Sequence, residues 1–168
     1  MPSENNAKVA VVMGSDSDLN MMQCCVDQLR EFGIPATVRI LSAHRTPQAA
    51  AEFAQNAESR GIQVIIAAAG MAAHLAGAMA AWTTLPVIGV PLAAEGGPAG
   101  LDSLLSTVQM PPGVPVATVA IGKAGARNAA VLAAQILATA DAGLREKLHH
   151  FKKKQEQAVR DKDAALSR

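Results

Sequence analysis

Five short apolar, β-branched runs recur along this chain with helical patterns between them: Val9–Met13, Ala36–Leu41, Val64–Ala69, Val87–Leu92 and Val116–Ile121. Their hydrophobicity is continuous rather than alternating, the pattern of strands buried on both faces of a parallel sheet. Repeated strand–helix units with right-handed crossovers put helices on both sides of such a sheet. The expectation is an α/β fold, a three-layer flavodoxin-like sandwich whose central parallel sheet runs in the order 2-1-3-4-5. The intervening stretches open on capping residues and stop at glycines, notably Gly33 and Gly61. Gly96-Gly97-Pro98 and Pro111-Pro112-Gly113 mark loops within it rather than boundaries. One domain over residues 1–168 is expected, with its core at about residues 8–140.

The final part departs from this pattern. Ala124 to Ala140 reads as an alanine-rich helix, and Asp141 opens a charged one that runs on toward Arg168. Lys152-Lys153-Lys154, His149 and His150 read as a solvated face, since acidic residues surround them. So polar a helix at the end of a compact domain suits a contact with another subunit.

Half of the 168 residues are apolar, but only 2% are aromatic and none is tyrosine. A net charge of +1, with so few stacking platforms, argues against nucleic acid. Val64 to Trp82 is long enough to cross a membrane, yet Gly70, His74 and Gly77 interrupt it. It reads as a buried strand, a glycine turn and a helix. The polar start, Met1 to Lys8, has no signal-peptide apolar region. Cys24 and Cys25 are adjacent in a helical stretch, where neighbours point apart, and read as ordinary core thiols. Together these features predict a reduced, soluble, cytoplasmic protein without a membrane partner.

Chemistry concentrates at the ends of three strands. The second leads into Ser42-Ala43-His44-Arg45-Thr46-Pro47, where Thr46 can cap the following helix, Pro47 to Arg60, and Pro47 suits its first position. A titratable imidazole beside a permanent cation points to proton transfer next to an anion. The first strand ends in Met13-Gly14-Ser15-Asp16-Ser17-Asp18, whose hydroxyls at a helix N-terminus suit a phosphate and whose Asp18 suits sugar hydroxyls. A purely structural cap explains these residues equally well. The third strand ends in Gly70-Met71-Ala72-Ala73-His74-Leu75. A lone histidine among small residues is more often a satisfied core residue than a catalyst. Convergence shifts that balance, because in the order 2-1-3-4-5 the three loops share one crevice at the topological switch point. A phosphorylated sugar derivative fits that inventory.

Other chemistries lack their patterns. Gly14 to Asp18 is neither a G-x-G-x-x-G nor a G-x-x-x-x-G-K-[ST] motif, and it lacks the G-x-S-x-G elbow of a serine hydrolase. His44, His74 and Asp18 could in principle ligate zinc, but no H-E-x-x-H or similarly short ligand spacing is present, so no metal is expected.

With these loops in view, the sequence resembles the N5-carboxyaminoimidazole ribonucleotide mutase family in its bacterial form. The matching motifs are M-G-S-x-S-D at Met13–Asp18, S-A-H-R-T-P at Ser42–Pro47 and A-A-H-L at Ala72–Leu75. The likeness continues through Gly89-Val90-Pro91, Asp102 to Ser106, Val108 to Pro111, Gly113 to Val116, Ala120 to Gly122, Gly125-Ala126 and Asn128 to Ala130, and covers residues 8 to 150.

The resemblance implies a cofactor-free isomerase of purine biosynthesis that moves a carboxylate from the exocyclic nitrogen of a phosphoribosyl aminoimidazole to ring carbon 4. Carbon dioxide is released, held and recaptured. It implies His44 as the proton shuttle with His74 beside it. Ser15, Ser17, Ser42 and Arg45 hold phosphate and neighbouring polar groups, Asp18 the ribose, and Gly70, Met71, Ala72, Ala73 and Leu75 the base and carbon dioxide. Gly14 and Ala43 complete the binding set. It also implies a homo-octamer with shared sites, the last helix lying on a neighbour.

Three departures stand out. The family loop usually reads G-G-A-A-H-L-P-G, whereas here Met71 replaces the second glycine and Ala76 the proline. The segment Ala93 to Pro98 also differs from the usual serine- and leucine-containing loop. Two alternatives accompany the mutase. One is a carboxylase using carbon dioxide directly, which Arg45 and His74 disfavour. The other is a non-catalytic phosphosugar-binding protein, which Met71 motivates.

Overall fold

The structure, a computed structural model, describes residues 6–166. Most of the polar amino-terminal stretch and the end of the helix expected to run to Arg168 lie outside the described residues.

The five apolar runs form one parallel sheet in the order β2-β1-β3-β4-β5. Its strands are β1 (Val9–Met13), β2 (Ala36–Ile40), β3 (Val64–Gly70), β4 (Val87–Leu92) and β5 (Ala117–Thr118). The helices are α1 (Leu19–Phe32), α2 (Pro47–Asn56), α3 (Leu75–Trp82), α4 (Leu101–Val108), α5 (Gly122–Leu137) and α6 (Ala142–Leu166). Met13 at the end of β1 lies opposite Ile40 of β2 and Ala68 of β3.

Continuous hydrophobicity has a direct reading here, because alternate residues enter two separate cores. Val9, Val11 and Met13 of β1, with Val64, Ile66 and Ala68 of β3, meet α1 and α5. Ala10, Val12, Ile65 and Ala67 face the other way, against Phe53 of α2 and Leu75 and Met79 of α3. The first core is built to a short radius: α5 contributes the buried alanines Ala126, Ala129, Ala130, Ala133 and Ala134. Fully burying a larger side chain such as Met22 or Leu29 contributes about 1.5–3 kcal/mol relative to leaving it in water.

The edges differ from expectation. β2 is only partly buried, with Ile40 at 55% exposure, because an edge strand has a neighbour on one side only. β5 has two residues rather than the expected six. Pro115 has no N–H to lend the ladder before it, and after it the chain leaves the sheet to enter α5 through Gly122 at φ 70°. The helix expected from Pro47 to Arg60 stops at Asn56, and a separate 3₁₀ turn at Glu58–Arg60 leads to Gly61 at φ 86°. The alanine-rich helix runs Gly122–Leu137 instead of Ala124 to Ala140. Among the described residues no helix is long and apolar enough to cross a membrane. Residues 64 to 82 form the expected strand, turn and helix.

Cys25 is buried and Cys24 half-buried, both as free thiols, and burial pushes the Cys25 thiol up to about 12. Asp141 accepts a hydrogen bond from the Leu144 N–H at 2.9 Å and so caps α6, as expected of the residue that opens it. Leu144 and Leu148 pack on the α1–α5 core, and Phe151 meets Phe32 edge-on with ring centroids 5.3 Å apart. Lys147 Nζ donates to the Phe32 carbonyl at 2.7 Å, satisfying one of the free carbonyls at the end of α1. Residues 152–166, with His149 and His150, are exposed.

Gly89 lets α3 and α4 approach β4. A Cβ there would fall on the Thr107 methyl and within 2.8 Å of Val116 Cγ1. Gly89→Ala is therefore expected to cost about 1–3 kcal/mol through overpacking. Urea denaturation checks this, and an unchanged midpoint would show that α4 moves away freely.

Candidate active site

The site is assembled by the carboxyl ends of β2, β1 and β3, continued by β4. Backbone bonds carry the register into the loops: Leu41 N–H donates to the Met13 carbonyl at 2.9 Å, and Gly14 N–H to the Ala68 carbonyl at 3.2 Å.

In the first loop Ser15 caps a short 3₁₀ turn, Asp16–Asp18. Its hydroxyl accepts from the Ser17 N–H at 3.4 Å and donates to Asp16 at 3.1 Å, while the Asp18 carboxylate accepts from the Ser15 N–H at 3.2 Å. This reciprocal capping box shows that Ser15 and Asp18 do serve as caps. They also line the crevice, with Gly14 and Ser17, so cap and lining are the same residues. Burial raises the Asp18 pKa above its ordinary 3.8, and the bonds from Ser15 and Ser17 and the charge of Arg45 oppose that rise.

The second loop is braced internally. Arg45 N–H donates to the Ser42 hydroxyl at 3.1 Å. The Thr46 hydroxyl accepts from the Ser42 N–H at 2.9 Å and donates to the Ser42 carbonyl at 3.1 Å. Thr46 therefore makes no side-chain cap on α2, contrary to expectation, because its hydroxyl is already spent closing the turn. Pro47 does occupy the first position of α2. The Arg45 guanidinium crosses to donate to the Gly14 carbonyl at 2.7 Å, tying the second loop to the first and using one of its five N–H groups.

In the third loop Gly70 pairs with Leu92, and a Cβ on it would come within 3.2 Å of the Leu92 carbonyl. Met71 adopts φ 56° and is 66% exposed. His74 precedes α3 and is exposed, so it is not a core histidine. His44 Nε2 and His74 Nδ1 stand 2.8 Å apart, with the rings nearly perpendicular at 80°. One nitrogen of that contact must donate and the other accept, so the two imidazoles hold a proton between them.

These groups surround a crevice of about 760 Å³. Of the fourteen residues expected there from the sequence, Gly14, Ser15, Ser17, Asp18, Ser42, Ala43, His44, Arg45, Gly70, Met71, Ala72, His74 and Leu75 all line it. Ala73 does not. Its methyl is buried, because the turn that sends the His74 N–H back to the Ala72 carbonyl at 2.8 Å directs it inward. Sequence reasoning missed Met21, Ala69 and the wall made by Leu92, Ala93, Ala94 and Glu95. The order 2-1-3-4-5 held the signal for that wall, since β4 flanks β3 and its carboxyl end opens onto the same side.

The family model described as AIR carboxylase matches residues 8–158. This chain belongs to the AIR carboxylase family. Within it, the chain is 55% identical over 161 residues to the N5-carboxyaminoimidazole ribonucleotide mutase of Mycobacterium leprae (strain TN), covering 96% of this chain and 92% of that protein. The Escherichia coli (strain K12) protein of the same name is 53% identical over 160 residues, covering 95% and 94%. Among solved structures, Treponema denticola PurE superposes with a TM-score of 0.85 at 28% identity, covering 95% of this chain and 98% of that one.

Because burial raises the Asp18 pKa, the folded chain binds that proton more tightly than the unfolded chain. The stability it contributes is complete below pH 3.8 and is lost as pH rises through the raised value. Asp18→Asn removes this loss and keeps an oxygen for the Ser15 N–H. At neutral pH the variant is expected to melt at or above the parent's temperature, with the difference vanishing below pH 3.8. Thermal melts across that range check it; a variant less stable at neutral pH would show that the contacts to Ser15 and Arg45 outweigh burial.

Proposed function

We propose that this chain is an N5-carboxyaminoimidazole ribonucleotide mutase, an isomerase of purine biosynthesis that forms 4-carboxy-5-aminoimidazole ribonucleotide without a cofactor. The observation that carries the reading is the His44–His74 contact of 2.8 Å, set in a crevice lined by hydroxyls, a guanidinium and small apolar residues.

His44 is the proton shuttle. It gives a proton to the exocyclic nitrogen as the bond from that nitrogen to the carboxylate carbon breaks, releasing carbon dioxide. Ring carbon 4 then attacks the carbon dioxide, and the proton it sheds returns to His44. No net proton is consumed, which matches an imidazole able to act in both directions. His74 fixes which His44 nitrogen faces the substrate, since His44 Nε2 is committed to the contact between the rings.

Ser15, Ser17, Ser42 and the remaining guanidinium N–H groups of Arg45 receive the phosphate and neighbouring polar groups, and Asp18 the ribose hydroxyls. Gly14, Ala43, Gly70, Ala72 and Leu75 admit the base closely. Ala73 supports the loop from beneath. Relatives at over half identity that bear the mutase name support the same assignment. The protein acts in the cytoplasm as a homo-octamer, each chain a single domain with its last helix on a neighbour. Support for assembly comes from Leu101, Leu105 and Val108, exposed along one side of α4, and from the bare outer half of α6.

Purified protein mixed with N5-carboxyaminoimidazole ribonucleotide, without ATP or added metal, is expected to give the carbon-carboxylated product, followed by ultraviolet absorbance. His44→Asn is expected to lower kcat on the order of a hundred- to ten-thousand-fold while retaining the substrate's binding affinity. A variant that loses only binding would remove His44 as the shuttle. Efficient product from aminoimidazole ribonucleotide and low bicarbonate would instead assign direct carboxylation.

A further inference from the structure

Ser103 is completely buried in the first turn of α4, yet its hydroxyl does not serve that helix alone. Its Oγ stands 2.9 Å from the Gly100 carbonyl and 2.9 Å from the Leu92 carbonyl. The first contact is ordinary, a helical serine bonding three residues back. The second is not local, because Leu92 lies 11 residues earlier, at the end of β4. A hydroxyl has one proton, so the two carbonyls share it. Ser103 therefore joins the two ends of the loop that runs from Ala93 to Ala99.

Inside that loop the bonds are local: the Gly97 N–H donates to the Ala94 carbonyl at 3.2 Å, and the Ala99 N–H to the Gly97 carbonyl at 2.8 Å. Its ends meet closely, since a Cβ on Gly100 would come within 3.3 Å of the Ala93 Cβ. The Leu92 and Gly100 carbonyl oxygens turn the same partial charge toward one point, and without a donor between them they repel. The loop so closed is a wall of the crevice, which Leu92, Ala93, Ala94 and Glu95 line. Ser103 itself does not line it.

The sheet fixes which part of a ligand this wall meets. β3 stands between β4 and the two strands whose loops carry Ser15, Ser17, Ser42 and Arg45. Leu92 pairs with Gly70, at the head of the loop that carries His74. On the reading proposed above, on which this inference rests, the first two loops take the phosphate and ribose and the third takes the base. The wall then borders the base.

We infer that Ser103 is a positioning residue of this site: its hydroxyl ties Leu92 to Gly100 and so holds the wall from Ala93 to Glu95 against the base of the bound ribonucleotide. It acts through the loop and touches no ligand.

The test compares two ligands and two variants. Calorimetry reads the affinity for aminoimidazole ribonucleotide, and competition against it reads that for ribose 5-phosphate, which lacks the base. Ser103→Ala removes the tie. Thr107→Ala removes a second buried hydroxyl of α4, one that donates to the Ser103 carbonyl at 2.7 Å, and leaves the loop ends joined. All proteins are compared at a temperature where circular dichroism shows them folded. Ser103→Ala is expected to weaken aminoimidazole ribonucleotide roughly tenfold, the scale of one hydrogen bond's contribution, and to leave ribose 5-phosphate unchanged. Thr107→Ala is expected to change neither. A merely structural role would lower stability in both variants and leave the two affinities alone. Unchanged affinities in Ser103→Ala, an equal loss for both ligands, or the same loss in Thr107→Ala overturns the inference and leaves the mutase reading intact. The expected affinities without turnover of N5-carboxyaminoimidazole ribonucleotide by the parent chain overturn the mutase reading alone. A parent chain that binds no aminoimidazole ribonucleotide overturns both.

Discussion

The crevice depends on the register of one parallel ladder. Met13 faces Ile40 on one side and Ala68 on the other, and the same ladder continues as Leu41 and Gly14 donate to the Met13 and Ala68 carbonyls. A slip of one residue would turn Val9, Val11 and Met13 from the α1–α5 core to the opposite one, so packing on both faces holds the register. Because all the strands run the same way, their carboxyl ends open together. The loops need no long excursion to meet.

Meeting is not yet a site, and the loops spend much of their polarity on one another. Ser15 and Asp18 complete a capping box, Ser42 and Thr46 close a turn, and Arg45 reaches across to Gly14. These internal bonds leave the side chains held in place before any ligand arrives, which lowers the ordering cost of binding. The contact between His44 and His74 spans residues 30 apart in sequence.

This division explains what could be read in advance. Strand order, layers and the sharing of one crevice by three loops follow from hydrophobic pattern and topology, and they appear in the sequence. The cap at Asp141 and the proline at the start of α2 are equally local and equally legible. Thr46 misled because a hydroxyl with two available partners is decided by loop geometry, which a capping rule does not contain. Ala73 misled because a run of small residues does not tell which methyl turns inward. The shortness of β5 reflects Pro115 and the departure into α5, two effects visible singly but not in combination. The wall from Leu92 to Glu95 carries no motif and is found only by following the sheet to its next strand.

The alanines along α5 have a further meaning for how this sequence can drift. An alanine surrenders no rotamer freedom when buried, so these positions of α5 are ordered without a side-chain entropy penalty. Each position, however, stands at the small end of the residue alphabet. Truncation has almost nothing to remove, whereas every enlargement pushes the helix off the sheet. The tolerance of this face is therefore lopsided: loss of a methyl costs about 0.5–1 kcal/mol through the helix-interior glycine it leaves, whereas gain of volume displaces the whole helix.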